Sequence, residues 1–163
     1  MRSTKDFVFQ TFRKLYFSFI PLAIQRTHFI YRNRKLFQGI GKDLFFQPRI
    51  FPDQPELISI GNNVKIASGV TFVNHDIIHC MLNDKFGEHN FEPYSAPIKI
   101  DDNVMIGANA MIMPGVHICS DVIVAAGSVV TKDITLSGVW GGVPARRIKS
   151  FEEFVEKRRN QGE

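Results

Sequence analysis

Cut every six residues from Ile100, the chain reads IDDNVM, IGANAM, IMPGVH, ICSDVI, VAAGSV and VTKDIT. The first position of each unit is Ile100, Ile106, Ile112, Ile118, Val124 and Val130. The fifth is Val104, Ala110, Val116, Val122, Ser128 and Ile134. Side chains two apart on a strand share a face, and large β-branched residues suit the inward face of a short one. The fourth position holds only Asn103, Asn109, Gly115, Asp121, Gly127 and Asp133. Gly, Asn and Asp tolerate the left-handed conformation that a tight corner needs. Each unit is therefore a short strand and a corner, and three units make one triangular turn of a parallel solenoid. A β-sandwich would need neither equal strand lengths nor one residue set at every corner.

The same register runs through IGNNVK and IASGVT, with Ile60, Ile66 and Phe72 at the first position and Asn63 and Gly69 at the fourth. Ile60 to Ile100 is not a whole number of hexads, so a segment must bulge out between Phe72 and Pro97. Leu44 and Ile50 suggest an imperfect earlier coil, blurred by Pro48, Pro52 and Pro55. Ser150-Phe-Glu-Glu153 fits a capping box, which predicts a helix from there through Arg158 that covers the apolar end of the solenoid. At the other end Phe7, Val8, Phe12, Leu15, Tyr16, Phe19 and Ile20 recur at helical spacing until Pro21.

Composition adds a bound and an asymmetry. The 163 residues, 44% hydrophobic and 22% charged, suit one globular domain. The net charge is +4, yet residues 1–38 hold eight Lys and Arg against Asp6 alone, a net +7. That basic head implies an anionic partner, a phosphate group or a membrane surface. The run Leu15 to Ile24 is too short to span a bilayer. Cys80 and Cys119 form no C-x-x-C pair, and the N-terminus lacks a signal-peptide pattern, so both are read as reduced thiols of a cytoplasmic protein.

The hexads, and above all VAAGSVVTKDI (124–134) followed by GGVPARRIK (141–149), resemble the hexapeptide-repeat acyltransferases. The likeness covers roughly residues 57 to 150 and is nearest to sugar, capsular or O-antigen polysaccharide O-acetyltransferases. It implies a mainly β fold, a left-handed parallel β-helix, with an N-terminal helical segment and a C-terminal helix. The domains would be a basic amphipathic segment at 1–38, the β-helix at 39–149 with an inserted active-site loop at 74–97, and a helix and tail at 150–163. The resemblance further implies a homotrimer with active sites in clefts between neighbours, acetyl-CoA as donor, and no metal.

Transfer from a thioester to an alcohol needs a base, an oxyanion donor and a grip on CoA. His75 is the candidate base. It falls at a fourth position where every other residue is Gly, Asn or Asp, and the repeat breaks directly after it. An imidazole suits taking a proton and returning it to the thiolate. Asn74 and Asp76 flank it to orient the ring or touch substrate, and His79 and Met105 are read as lying near the acceptor. By resemblance the oxyanion donor is a backbone N–H at Gly107 or Ala108, with Ala108 also against the donor. By the same match Ala126 contacts the pantetheine and Thr131 and Lys132 flank the pyrophosphate. Arg146 approaches the 3′-phosphate, with Arg147 or Lys149 assisting. His117 reads as a surface residue.

Several alternatives stay open. His75, His79, Cys80 and His89 are a conceivable metal set. The acceptor is a sugar hydroxyl or, alternatively, the nitrogen of an amino-nucleotide sugar. A metal enzyme like the γ-class carbonic anhydrases, or a non-enzymatic solenoid, is the remaining class. The N-terminal stripe either packs on the solenoid or between protomers, or lies on the inner face of a membrane that carries a lipid-linked acceptor.

Overall fold

The computed structural model describes residues 4–87 and 89–161, with side chains from Thr11 onward. Helices α1 (Thr4–Phe19) and α2 (Ala23–Arg32) come first, separated at Pro21. The strands β1 (Gly39–Ile40), β2 (Phe45–Phe46), β3 (Ile58–Ile60), β4 (Lys65–Ile66) and β5 (Thr71–Phe72) follow. After α3 (Ile78–Phe86) come β6 (Ile98–Ile100), β7 (Val104–Ile106), β8 (Met111–Ile112), β9 (His117–Ile118), β10 (Val122–Val124) and β11 (Val129–Val130). The chain finishes with β12 (Gly138–Gly141), β13 (Arg146–Lys149) and α4 (Phe151–Asn160).

From β1 to β12, successive strands do not pair with each other; each pairs, in parallel, with a strand one turn along, and β13 alone folds back antiparallel on β12. The result is three walls: β1-β3-β6-β9, then β13-β12-β10-β7-β4-β2, then β11-β8-β5. We call them the first, second and third faces. Ile100 sits on Ile118, Ile106 on Val124 and Ile112 on Val130, so one turn is three hexads. This mainly β, parallel coil fits the β-helix that the hexads predict. Ile60, Ile66, Ile100, Ile106, Ile112, Ile118, Val124 and Val130 are buried, and so are fifth-position Val64, Val104, Ala110, Val122, Ser128 and Ile134. The core is a stack of these two columns.

The corners behave as their residues require. Asn63, Asn103, Asn109 and Asp121 have φ between 53° and 58°, and Gly69, Gly115 and Gly127 are also left-handed. At one corner the side chains form a ladder up the coil. Asn63 Nδ2 donates to Asn103 Oδ1 at 3.0 Å and Asn103 Nδ2 to Asp121 Oδ1 at 3.0 Å. Asp133 departs from the column. Its φ is not left-handed, and its carboxylate accepts the His117 N–H at 2.8 Å, where the last turn shortens and Ile118 meets Ile134. The first coil departs too. Ile40 pairs with Ile60 and Phe46 with Ile66, whereas Leu44 serves the fifth-position column and Ile50 is exposed. The three prolines shift the register and lengthen that turn.

His117 does more than face solvent. Its Nε2 lies 2.8 Å from Asp101 Oδ2, and Lys99 Nζ lies 3.1 Å from Asp101 Oδ1. Burial works to raise the Asp101 carboxyl, but the bonds from His117 and Lys99 outweigh it and hold it below the usual carboxylate range.

The ends differ from expectation in detail. Ser150 forms both bonds of the capping box, with Glu153 N–H donating to its Oγ and its own N–H reaching the Glu153 carboxylate. No residue of α4 is buried, however, so the helix leans on β12 rather than sealing the core. Among the described side chains, Phe17 of α1 and Ile20 just after it are buried, while Phe12, Leu15, Tyr16 and Phe19 are exposed. The side chains of Phe7 and Val8 lie outside the described residues.

Two outcomes follow. Asn103→Ala, which loses both ladder bonds and puts a Cβ-bearing aliphatic residue at positive φ, should cost about 1–2 kcal/mol in urea unfolding. Asn103→Gly should recover the backbone part. Asp101→Asn should lower stability at neutral pH by about 0.2–1 kcal/mol, the range for a partly exposed pair. Because folding depresses this carboxyl, the gap to the parent should close as pH falls below about 4. Melting curves of both proteins across that range check the sign.

Candidate active site

The edge between the second and third faces carries backbone donors. Gly107 N–H is committed to Val124 O at 2.8 Å, and a Cβ on Gly107 would stand 2.4 Å from Ala126 N. This glycine exists to let one coil rest on the next, and its amide has no capacity left for an oxyanion. The expectation of Gly107 as donor is therefore corrected. Its neighbour is different. Ala108 gives its carbonyl to Gly127 N–H at 2.8 Å but its own N–H has no partner among the described residues. The same holds for Ala126 one turn up, whose neighbours Ala125 and Gly127 are both paired. In the coil below, the matching amide of Ser68 is closed by the Gln47 side chain at 3.1 Å. Two open donors thus stand one above the other. Ala108 occupies the second place of a turn in which Ala110 N–H reaches Gly107 O and Asn109 has φ 58°. That geometry accepts proline at Ala108's place, as Pro114 before left-handed Gly115 illustrates.

Arg146 reaches the same edge. The chain turns back after Gly141–Gly142 and β13 runs antiparallel to β12, pairing Arg146 with Gly141. A Cβ on Gly141 would lie 3.0 Å from the Ala125 Cβ, so the strand residue opposite Arg146 packs beside the turn that holds Ala126. Arg147 is held further along, its Nε donating to Ser137 O at 3.3 Å, and Lys149 is opposite Val139. This return strand was not visible in the hexads, which end at Ile134. Its signal was the Gly-Gly-Val-Pro turn.

The edge between the third and first faces carries the other groups. Here the coil opens into the inserted segment. His75 bridges Ser95, Ala96 N–H donates to Asn74 O at 2.9 Å, and Asp76 N–H to Tyr94 O at 3.2 Å, so a short antiparallel neck closes the loop. His75 is therefore extended at the neck rather than left-handed. Asn74 is 1% exposed, and neither amide atom of its side chain has a hydrogen-bond partner. The Nδ1 of half-buried His75 is shielded and equally unpartnered. Leaving such groups unpaired costs about 1–3 kcal/mol each.

Asp76, read from the sequence as an acceptor contact, has a local role. Its Oδ1 holds the Ile78 N–H at 3.0 Å and starts α3. His79 packs its Nε2 against Cys80 Sγ at 3.3 Å on the first turn of α3, and Cys80 is exposed. Among the described residues no three His, Cys, Asp or Glu side chains gather closely enough to hold a metal, so His75, His79, Cys80 and His89 do not form the conceivable set. Thr131 and Lys132 are exposed at this same edge, and Met105 projects from the second face, 40% exposed.

The site residues thus fall into two groups. Ala108, Ala126 and Arg146 stand at one edge of the third face, and Asn74, His75, Thr131 and Lys132 at the other. The strand residues Ala110–Met113 between them span roughly 13 Å at about 3.3 Å per residue.

Open amides beside an exposed guanidinium, whose Nη1 also donates to Ala145 O at 2.9 Å, suit an elongated polyanion with amide groups of its own, and CoA is such a molecule. Known proteins agree. Residues 97–132 match the family described as the hexapeptide repeat of succinyl-transferase. Protein CapG of Staphylococcus aureus is 44% identical over 128 residues, which is 76% of this chain and 72% of that one. The putative acetyltransferase YvoF of Bacillus subtilis is 35% identical over 167 residues, covering 96% of this chain and 90% of its own. A galactoside acetyltransferase solved with coenzyme A superposes with a TM-score of 0.64 at 27% identity, covering 90% of this chain and 80% of that one. With its three-hexad turns, its left-handed corners and these relatives, the chain belongs to the hexapeptide-repeat acetyltransferases.

Proposed function

We propose that this chain is a homotrimeric O-acetyltransferase that acetylates a hydroxyl of a sugar or polysaccharide precursor by direct transfer in a cleft between subunits. The observation that carries the reading is the division of the site across the third face. A base and an oxyanion donor must meet one reacting carbonyl, with atoms about 3–3.5 Å apart. On one chain they are separated by a whole wall. Side-by-side packing of left-handed prisms with closed cyclic symmetry brings the His75 edge of one protomer against the Ala108 edge of the next. The half-buried His75 ring then faces a partner surface and substrate.

In that cleft the pantetheine arm runs past the Ala126 N–H, and Arg146 meets the phosphates, with Lys132 and Thr131 contributed from the opposite edge. His75 takes the proton as the acceptor oxygen attacks the thioester carbonyl. The Ala108 N–H steadies the oxyanion, being rigid and already aimed. When the C–S bond breaks, His75 returns the proton to the departing thiolate. Met105, on the wall beside Ala108, and His79, beyond the neck, border the acceptor. Galactoside is the acceptor named for the structural relative, which supports a sugar here.

His75→Ala should lower kcat by about 10²–10⁴ while leaving the Kd for CoA within roughly twofold. Ala108→Pro, which removes one N–H and suits the turn, should lower kcat by about 10²–10³ with an unchanged melting temperature. Retention of full rate by either sinks the assignment. Cys80→Ala should keep the parental rate; its loss would point to an acyl-enzyme through the Cys80–His79 contact instead. Acetyl-CoA consumption measured against hydroxyl sugars and amino sugars decides the acceptor atom. A product that mild base does not hydrolyse would transfer the assignment to nitrogen.

A further inference from the structure

The end of the coil that α1 and α2 cover is built for two neighbours, and the structure supplies one. β2 is the outermost strand of the second face, and its free donors are answered by α2. Phe46 N–H reaches Thr27 Oγ1 and Leu44 N–H reaches Tyr31 Oη, each at 2.9 Å. α1 then lies across α2 and the first coil through Phe17, whose ring centroid is 5.3 Å from Phe29, 6.0 Å from Phe46 and 5.3 Å from Phe51. That accounts for the inner side of α1.

The outer side is apolar as well. At 3.6 residues per turn, Phe12, Leu15 and Phe19 project roughly 140–160° away from Phe17. They are 68%, 53% and 75% exposed, and Tyr16 beside them is 64% exposed. The patch continues into a groove of about 380 Å³ between the two helices, whose rim carries His28 and Arg32. A contiguous apolar surface of this kind on a soluble fold marks a contact surface.

Geometry and charge choose among occupants. Prisms that associate side by side use their walls, so the helical base stays outside those contacts. In a closed ring all bases also point the same way and present their α1 faces on one plane. This step rests on the trimer reading. Docking base to base with a second copy would oppose like charges, since residues 1–38 hold eight Lys and Arg against Asp6, and Arg32, Arg34 and Lys35 are exposed. An anionic bilayer complements both the aromatic stripe and the basic border. Among the described residues no helix is long and apolar enough to cross a membrane. The 16 residues of α1 reach about 24 Å, short of a hydrocarbon core of about 30 Å.

We propose that the outer face of α1 lies in the interface of an anionic lipid bilayer, so that the enzyme docks flat through the helical ends of its three protomers. Three weak contacts held on one plane bind far more tightly than one, and the docking would concentrate the clefts beside acceptors that are themselves lipid-linked.

The test uses the full-length protein with sedimenting vesicles of phosphatidylcholine alone, or of equal parts phosphatidylcholine and phosphatidylglycerol. Light scattering of the vesicle-free protein runs in parallel. The parent should sediment with the phosphatidylglycerol vesicles, poorly with phosphatidylcholine, and less as salt rises. The double variant Phe12→Ser/Phe19→Ser should lose binding by about tenfold or more, with its melting temperature and its melting shift on adding CoA unchanged. Parent protein that responds to CoA yet ignores both vesicles overturns the proposal, as does undiminished binding by the double variant. A parental mass twice that of the variant also overturns it, by making the face a contact between copies. A monomeric mass with vesicle binding intact upholds the membrane contact and removes only the trimer.

Discussion

Backbone amides of each coil find their acceptors in the adjoining turns, one turn along for Gly107 and one turn back for Gly127, and the rest of the molecule is arranged around that requirement. The ladder is parallel, so partners are far apart in sequence, and it closes only if every turn has nearly the same length. Corners must then be tight and repeat at fixed places, which is why Asn63, Asn103, Asn109 and Asp121 accept positive φ. Gly107 meets the same demand from the side of packing, because the Ala126 backbone occupies the space a Cβ would take. The side chains inside the coil are almost spectators by comparison. They need to be branched, inward and of the right size.

The requirement also decides where chemistry can be placed. A ladder leaves few backbone donors over, and those it leaves are at corners. Gly107 and Ala108 are neighbours, yet one N–H is spent on Val124 and the other is open. Insertions are tolerated only where a turn can be interrupted and resumed in register. The segment from Asn74 to Pro97 does this through its own neck, so that Phe72 still meets Ile112 above it. The buried amide of Asn74 and the shielded nitrogen of His75 are the groups left over at that interruption. A solenoid therefore offers its functional groups along edges. An edge becomes a cleft only when another edge faces it.

Much of this was legible in the sequence because the period is a physical constraint on every residue in it. Ile100, Ile106 and Ile112 at one position and Asn103 and Asn109 at another leave little freedom of interpretation, and the break after His75 located the insertion. The readings that changed concern features with no period. Leu44 and Ile50 share the spacing of the core, but three prolines lengthen that turn and Ile40 and Phe46 hold the inward places instead. Phe17 was hidden because α1 is apolar on two sides, and spacing alone does not say which side meets the coil. Asp76 was read only for its place beside His75, and its bond to the Ile78 N–H at the start of α3 has no signal in the hexads. The choice between Gly107 and Ala108 depends on which amide the next coil consumes, a matter of stacking that residue types do not encode.

The central claim is that one active site takes His75 from one chain and the Ala108 amide from another. Mixed oligomers test it directly. His75→Ala and Ala108→Pro proteins, each nearly inactive alone, are unfolded, combined in equal amounts and refolded together. If the cleft is shared, random assembly gives about one cleft in four with both groups intact, and roughly a quarter of the parental rate should return. If both groups serve one site within a single chain, every such site is damaged. The mixture then stays as inactive as its components, which would contradict the account.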